Sequence, residues 1–305
     1  MKKVIVRLGN GLGNQLFTYA AGYSFAKKNK AELYVDDESG FYKKRYKYEL
    51  HNFITTTSIA EKQDKFLGHF GRVKRRFLKK INNINKSKIF LVEDVDKNKL
   101  TYYNPSQLNI NFDNTLYYEG YFQTEKYFKL YEKELFKEFT FKKLITEQKN
   151  KYIKQIIDSN SVSIHLRQDK FDLNDGFTNY KKLSLDFIKK NIEHTKKGIE
   201  HFDKVLNKPV YFLWSNKYEG LREYFPSNKF IFVDSNQNKS PAYDLYLISL
   251  CKNFILSPST LHYWGAYFSK IKDKICLAPN NNFNISGYYG FSNNKDIKAD
   301  WWTEI

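Results

Sequence analysis

Cysteine is scarce in this chain, long apolar runs and a complete dinucleotide fingerprint are missing from it, and each lack removes a class of protein. Only Cys251 and Cys276 occur among 305 residues. Both stand in apolar runs, so neither a disulfide framework nor a cysteine metal centre is expected, and the thiols read as reduced and buried. No stretch approaches the roughly 20 apolar residues that cross a bilayer. The apolar run behind Lys2 and Lys3 is short and ends at Arg7, which argues against a secretory signal and for a cytoplasmic location. The loop at residues 9–15 has Gly9 and Gly11, but Asn14 stands where a dinucleotide fingerprint needs its third glycine. That spacing argues against an NAD-type oxidoreductase, although Asp36 and Asp37 close the next apolar run, where a ribose-binding acid would stand.

What the chain has in excess is positive charge. A formal net charge of +18 calls for an anionic partner: nucleic acid, a membrane surface or a phosphorylated small molecule. The lysines are spread through every segment instead of clustering with aromatics on one face, so nucleic acid is not the expected partner. One segment does concentrate charge. From Ile59 to Asn85, apolar residues including Phe66, Phe70, Val73, Phe77 and Ile81 recur at helical intervals among Lys62, Lys65, Arg72, Lys74, Arg75, Arg76, Lys79 and Lys80, which predicts a strongly basic amphipathic helix over 59–85. It reads either as an ordinary core-facing helix with a solvated cationic face, the commoner fate of such helices, or as a patch held against anionic lipid.

A hydrophobic content of 41% over 305 residues supports a sizeable core, and two domains are favoured over one. Residues 1–60 read as strand, loop, helix (Leu16–Lys28), strand (Glu32–Val35) and a polar connection. Strands at Ile89–Val95 and Thr115–Tyr118 and a helix at Lys126–Phe139 follow. The composition changes at a lysine-rich helical segment, Lys142–Lys154, which sets a boundary near residue 150 and hence domains 1–150 and 151–305. Beyond it, strands at Ser161–His165, Val210–Trp214, Phe230–Val233, Phe254–Ser257 and Ile275–Ala278 alternate with helices at Tyr180–His194, Tyr218–Phe225, Tyr243–Cys251 and Thr260–Phe268. Such alternation predicts a parallel sheet, whose ligands sit beyond the carboxyl ends of the strands.

Groups suited to a phosphorylated ligand gather at those ends. The turn carrying Gly11, Gly13, Asn14 and Gln15 can cradle a phosphate, since glycine permits positive φ and close approach and the first helical N–H groups point at an anion. Asn14 and Gln15, two amides just inside a helix, suit polar ligand contacts better than packing; a mere tight turn is the plain alternative. His165 and Arg167, two apart on an extended chain, point the same way and can reach one phosphate or leaving oxygen. Ser215 and Asn216 read as base or ribose contacts, or as a cap on the following helix. Asp244 reads as a cap or a nucleotide contact, and Ser259 and Thr260 offer N–H groups to a phosphate. Two helix starts, near Gly13 and Thr260, can together serve one diphosphate, as a sugar nucleotide requires.

At this point the chain resembles the bacterial inverting alpha-1,2-fucosyltransferases over nearly its full length. The resemblance rests on Gly11-Leu-Gly-Asn-Gln-Leu-Phe17 with Tyr19-Ala-Ala, on Tyr118-Glu-Gly-Tyr-Phe-Gln-Thr-Glu-Lys-Tyr-Phe128, on His165-Leu-Arg167, on Asp244 through Lys252, and on Ser259-Thr260 through Trp264-Gly-Ala266. It implies a GT-B-like α/β architecture of two Rossmann-like domains facing a cleft, GDP-fucose as donor held mainly by the C-terminal domain, and no required metal or other cofactor. By matching position, Arg167 would bind the donor β-phosphate and stabilise departing GDP with His165 beside it. Ser259 and Thr260 would contact the phosphates, Asn14 and its neighbouring glycines would close over them, and Ser215, Asn216 and Asp244 would lie near the nucleoside. Three departures stand out. Gln168, Asp169 and Lys170 follow where the family continues with arginine, glycine and aspartate; Asn216 and Lys217 replace two acids; and His262 and Tyr263 replace an aromatic and a serine.

The reaction so implied is transfer of L-fucose to a glycan hydroxyl, O-2 of a galactose-type residue, in surface polysaccharide synthesis, with the acceptor lipid-linked and the enzyme peripheral at the inner face of the membrane. Asp36, Glu119 and Glu125 are the candidate bases, each with a structural role as the plainer reading. A transferase using another nucleotide sugar and a non-catalytic nucleotide- or glycan-binding protein are the alternatives.

Overall fold

The computed structural model describes residues 1–82, 84, 86–97, 100–147, 150–168, 180–226, 228–234, 240–280 and 295–305, without the side chains of 180–183. The chain divides into two compact units: Met1–Lys143 with Ser292–Ala299, and Leu144–Phe291 with Asp300–Ile305.

The first unit is built from β1 (Lys3–Arg7), α1 (Leu12–Lys28), β2 (Glu32–Asp36), β3 (Ser58–Ile59), α2 (Gly68–Asn82), β4 (Phe90–Val92), β5 (Thr115–Glu119) and α3 (Glu132–Glu138). Its sheet runs β3-β2-β1-β5-β4 and every pairing is parallel. Between Leu12 and Ala26 only Asn14 of α1 escapes full burial, and a helix apolar on all sides belongs inside a core. Gly22 lets it lie against β1, since a Cβ there would come within 2.2 Å of Val6 Cγ2. Arg7 is paired in register with Asp36, and Val6 with Tyr118. Arg7, Asp36 and Glu119 therefore stand level at the carboxyl edge of the sheet.

Three expectations fail here for local reasons. The continuous helix over 59–85 is instead β3, a short 3-10 turn at Lys62–Asp64, and α2, which starts only at Gly68, where φ is +62°. Phe66 is not part of that helix but is buried beside Phe90 and Tyr117. The helix over 126–139 is two 3-10 turns followed by α3, interrupted at Phe128, which has φ −131° and is buried near the Phe17 ring. Strand 89–95 shortens to β4.

The second unit follows α4 (Lys143–Thr146) with α5 (Lys151–Asp158), β6 (Asn160–Leu166), α6 (Tyr180–Val205), β7 (Pro209–Ser215), α7 (Leu221–Tyr224), β8 (Phe230–Phe232), α8 (Pro241–Ser249), β9 (Asn253–Ile255), α9 (Thr260–Phe268), β10 (Cys276–Ala278) and β11 (Thr303–Glu304). The lysine-rich segment 142–154 is thus two helices, the second capped by Asn150, whose side chain accepts from Tyr152 N. The sheet, again wholly parallel, runs β11-β10-β9-β6-β7-β8. Alternation along β6 splits its side chains between two layers. Val162, Ile164 and Leu166 join Ile192, Ile199 and Phe202 of α6 in one apolar core. Ser161 and Ser163, on the other face, meet Lys252 N and His262. Close packing of α8 on α9 requires Gly265, where a Cβ would lie 2.1 Å from Ile248 Cγ2.

Candidate functional site

In the second sheet the chain steps outward from β6 to β7 and β8, then crosses back to place β9, β10 and β11 on the other side of β6. The direction reverses between β6 and β9, and open parallel sheets bind ligands in the crevice beyond the carboxyl ends at such a reversal. Three neighbouring strands deliver expected residues to that edge. β6 ends with His165 and Leu166, and Arg167 follows directly; β7 ends at Ser215, followed by Asn216; β9 leads to Ser259, the N-cap of α9, and Thr260, its first residue.

The His165 ring is half-buried, and its Nδ1 is sealed from solvent without a hydrogen bond among the described residues. Burial first, and then the charge on Arg167, lowers its pKa to about 4, so the imidazole is neutral at pH 7. His262 lies next to it, ring centroids 5.8 Å apart. Its Nδ1 accepts from Ser257 N at 3.3 Å, which leaves Nε2–H to donate to Ser163 Oγ at 3.0 Å;. The residue that departs from the family pattern therefore braces the turn carrying Ser259, whose Oγ accepts from His262 N.

Arg167 is half-buried at the carboxyl edge. The chain after it is tied to the chain after β7: Gln168 N donates to Asn216 Oδ1 at 2.8 Å, and Gln168 Nε2 donates to the Lys217 carbonyl at 2.5 Å. Ser215 Oγ is likewise engaged with both Lys217 N and the Lys217 carbonyl. Ser215 and Asn216 thus knit two strand ends together; Asp169 and Lys170 lie outside the described residues. Asp244 behaves differently. It sits in the first turn of α8, burial alone pushes its pKa to about 7, and it makes no capping bond among the described residues.

In the first sheet the reversal falls between β1 and β5, where the glycine loop leaves β1. The positive φ in that loop belongs to Asn10, at 61°, while Gly11 is extended at φ −70° and caps α1. The glycines serve approach of chain to chain instead: a Cβ on Gly9 would meet the Gly40 carbonyl at 3.2 Å, and one on Gly40 would collide with the Leu8 carbonyl. Gly13 is buried in the first turn. Asn14 is half-buried, its Oδ1 accepts from Gln123 Nε2 at 2.7 Å, and its N–H2 has no hydrogen bond among the described residues.

Gln15, expected as a ligand contact, is turned away from any ligand. It is fully buried; Nε2 donates to the carbonyls of Asn10 and Lys47, and Oε1 accepts from Glu49 N. With both ends of the amide engaged, Gln15 is a brace beneath the loop and not a ligand contact. The three acids of this unit also have structural partners. Asp36 accepts from Glu38 N, Ser39 N and Ser39 Oγ. Glu119 grips Arg75 and Lys79, which hold its pKa below the usual value against a raising effect of burial. Glu125 stands 3.6 Å from Lys129.

Sequence reasoning missed Glu93, just past β4, whose pKa burial raises to about 7 and whose Oε2 accepts from Tyr121 N at 2.6 Å. It also missed Arg7 as more than the end of a strand. A lone acid and a lone arginine closing apolar runs were the available signals.

The model of glycosyl transferase family 11 matches residues 3–305. Among curated proteins, the O-antigen biosynthesis glycosyltransferase WbnK of Escherichia coli is 24% identical over 98% of this chain and 99% of its own. An alpha-1,2-colitosyltransferase of Escherichia coli is 25% identical over 92% of each. A crystal structure of NodZ alpha-1,6-fucosyltransferase soaked with GDP-fucose shares the fold, with a TM-score of 0.52 and 14% identity over 90% of this chain and 94% of that one. The two parallel α/β units are accordingly of the GT-B-like class, and no helix of the described residues is long and apolar enough to cross a membrane. With a family match that spans both units, this chain belongs to glycosyl transferase family 11.

Proposed function

We propose that this glycosyltransferase moves L-fucose with inversion from GDP-fucose to a glycan hydroxyl, O-2 of a galactose-type residue, in synthesis of an O-antigen-like surface polysaccharide. The observation that carries the reading is the convergence of His165 with Arg167, Ser215 with Asn216, and Ser259 with Thr260 on the strand reversal of the second sheet. In the reaction the acceptor oxygen bonds to the anomeric carbon opposite GDP, the bond to the diphosphate oxygen breaks, and the hydroxyl proton passes to a base. Negative charge grows on the diphosphate, where Arg167 and the N–H groups at the start of α9 offset it without reorganising. The ring gains oxocarbenium character. Neutral His165 acts as a hydrogen-bonding partner, not as a second cation. Asp244, whose charge burial disfavours, is suited to a guanine edge, which offers two N–H donors to a carboxylate. Metal is not needed where a guanidinium and a helix start carry the diphosphate charge.

A second reading, a colitose-bearing donor, is favoured by the full-length similarity to an alpha-1,2-colitosyltransferase. One series separates the readings: thermal shift with GDP, GDP-fucose, GDP-colitose, UDP-galactose, NAD and a polynucleotide, with and without EDTA, followed by donor hydrolysis. GDP and one GDP-sugar should stabilise the protein equally in EDTA. In the Arg167→Ala variant, turnover should fall by about two to three decades. A shift with NAD or polynucleotide alone overturns the assignment, and wild-type-like turnover removes Arg167 from the mechanism.

A further inference from the structure

The first unit contains a cavity of about 220 Å³ at the carboxyl edge of β1, lined chiefly by Arg7, Ser39, Tyr42, Arg72, Arg75 and Arg76. None of these belongs to the donor set described above. The α2 residues reach it by helical spacing, since His69, Arg72, Val73 and Arg76 share one face;. Its charge balance is positive. Two carboxylates lie near: Glu119 is already held by Arg75 and Lys79, and Asp36 by the 38–39 turn. Among the described residues, Arg7, Arg72 and Arg76 form no ion pair. Arg7 donates to the Ser39 carbonyl at 2.7 Å, but its buried Nε has no partner. Arg72 is steadied over the Tyr42 ring at 5.5 Å. Several guanidinium groups around a small cavity, one with an unmet buried donor, match the geometry of a phosphoryl group, which accepts forked N–H pairs.

We infer that this cavity binds the phosphoryl group through which the acceptor glycan is joined to its carrier, so that the first unit selects phosphorylated over neutral acceptors. The word acceptor rests on the transferase reading; the anion site does not. Octyl diphosphate is titrated calorimetrically into wild type, Arg167→Ala and the double variant Arg72→Gln/Arg76→Gln, whose side chains are exposed and whose loss should leave folding intact. Binding should weaken ten-fold or more in the double variant and persist in Arg167→Ala; unchanged binding in the double variant overturns the site. In transfer assays, the double variant should raise KM for a galactosyl diphospho-octyl acceptor ten-fold or more, with kcat and GDP-fucose hydrolysis retained and KM for octyl galactoside unmoved. Equal losses with both acceptors overturn acceptor selection. Dibutyryl phosphatidylglycerol, a monomeric headgroup that offers no membrane surface for α2 to lie on, supplies the other source of the same chemistry, and if it displaces octyl diphosphate from the cavity it is a lipid headgroup site and the acceptor assignment is overturned. Failure of every GDP-sugar to react, with the calorimetric pattern intact, condemns the transferase reading and leaves the anion site standing.

Discussion

Gln15 shows how an amide that reads as a ligand contact becomes part of the scaffold. Its side chain joins three backbone segments, the 10 loop, residue 47 and residue 49, at a site with no solvent access. Truncation to alanine leaves the buried Glu49 N–H without a partner and removes a donor from the part-buried Asn10 and Lys47 carbonyls, at a cost of about 1–3 kcal/mol;. Urea unfolding of Gln15→Ala followed by circular dichroism should show a midpoint lowered accordingly with an unchanged slope; a loss below about 0.5 kcal/mol would contradict the bracing role. Residue type alone does not separate Gln15 from its neighbour Asn14, because what differs is the facing chain, and residues 47–49 reach α1 only through the tertiary fold. The placement of Arg167, Ser259 and Thr260 at the carboxyl edge of the sheet was legible for the opposite reason: Arg167 directly follows β6, Ser259 and Thr260 open the helix after β9, and such boundaries are fixed by local pattern.

In the second unit β6, β7, β8 and β10 were legible to within one residue and α9 fully, because strands there are short apolar runs bounded by polar turns, whereas the helix over 218–225 shortens to α7 and β11 was not read;. The reading of α6 stopped at His194, whereas the helix continues to Val205 on the core contacts of Ile199 and Phe202. The failure at 59–85 is more informative. Apolar spacing there allowed either a core-facing helix, the commoner fate, or one held against anionic lipid, and α2 has no buried residue, with Phe70 and Phe77 89% and 62% exposed. The helix carries six lysines and arginines and no acid over 68–82, with aromatics in the open beside them. Exposure on that scale excludes the core-facing reading and leaves the anionic-lipid reading, in which each cation would add about 1 kcal/mol of attraction, as the proposal to test. Accordingly, Phe70→Ser/Phe77→Ser should leave stability within about 0.5 kcal/mol, and on the anionic-lipid reading it should abolish most co-sedimentation of the protein with vesicles containing phosphatidylglycerol. Undiminished vesicle binding by that variant, or a large loss of stability, would reject the membrane role.

Across the molecule the two units differ in how they answer acid. His165, His194 and His262 all lie in the second unit, and burial lowers their pKa values, to about 4 for the first two and well below the usual value for the third. Unfolded, each titrates near 6.5. Between pH 6.5 and 4 the unfolded chain therefore binds protons that the folded unit refuses, so stability falls as pH falls, by about 2 kcal/mol at pH 5 for each fully buried histidine. Asp244 acts with the opposite sign: its folded pKa of about 7 makes acidification favourable and offsets roughly one histidine. Glu93, also near 7, works in the same direction in the first unit. All four tryptophans, Trp214, Trp264, Trp301 and Trp302, belong to the second unit, so their fluorescence reports it alone. On lowering pH from 7.5 to 5, the fluorescence melting midpoint should drop more than the midpoint from circular dichroism, which samples both units. His194→Gln, which can keep the bond to the Leu256 carbonyl without a titrating ring, should flatten the dependence, and Asp244→Asn should steepen it. A fluorescence midpoint that rises on acidification would mean that these histidines are charged within the folded unit, and the neutral role given to His165 beside Arg167 would fall with it.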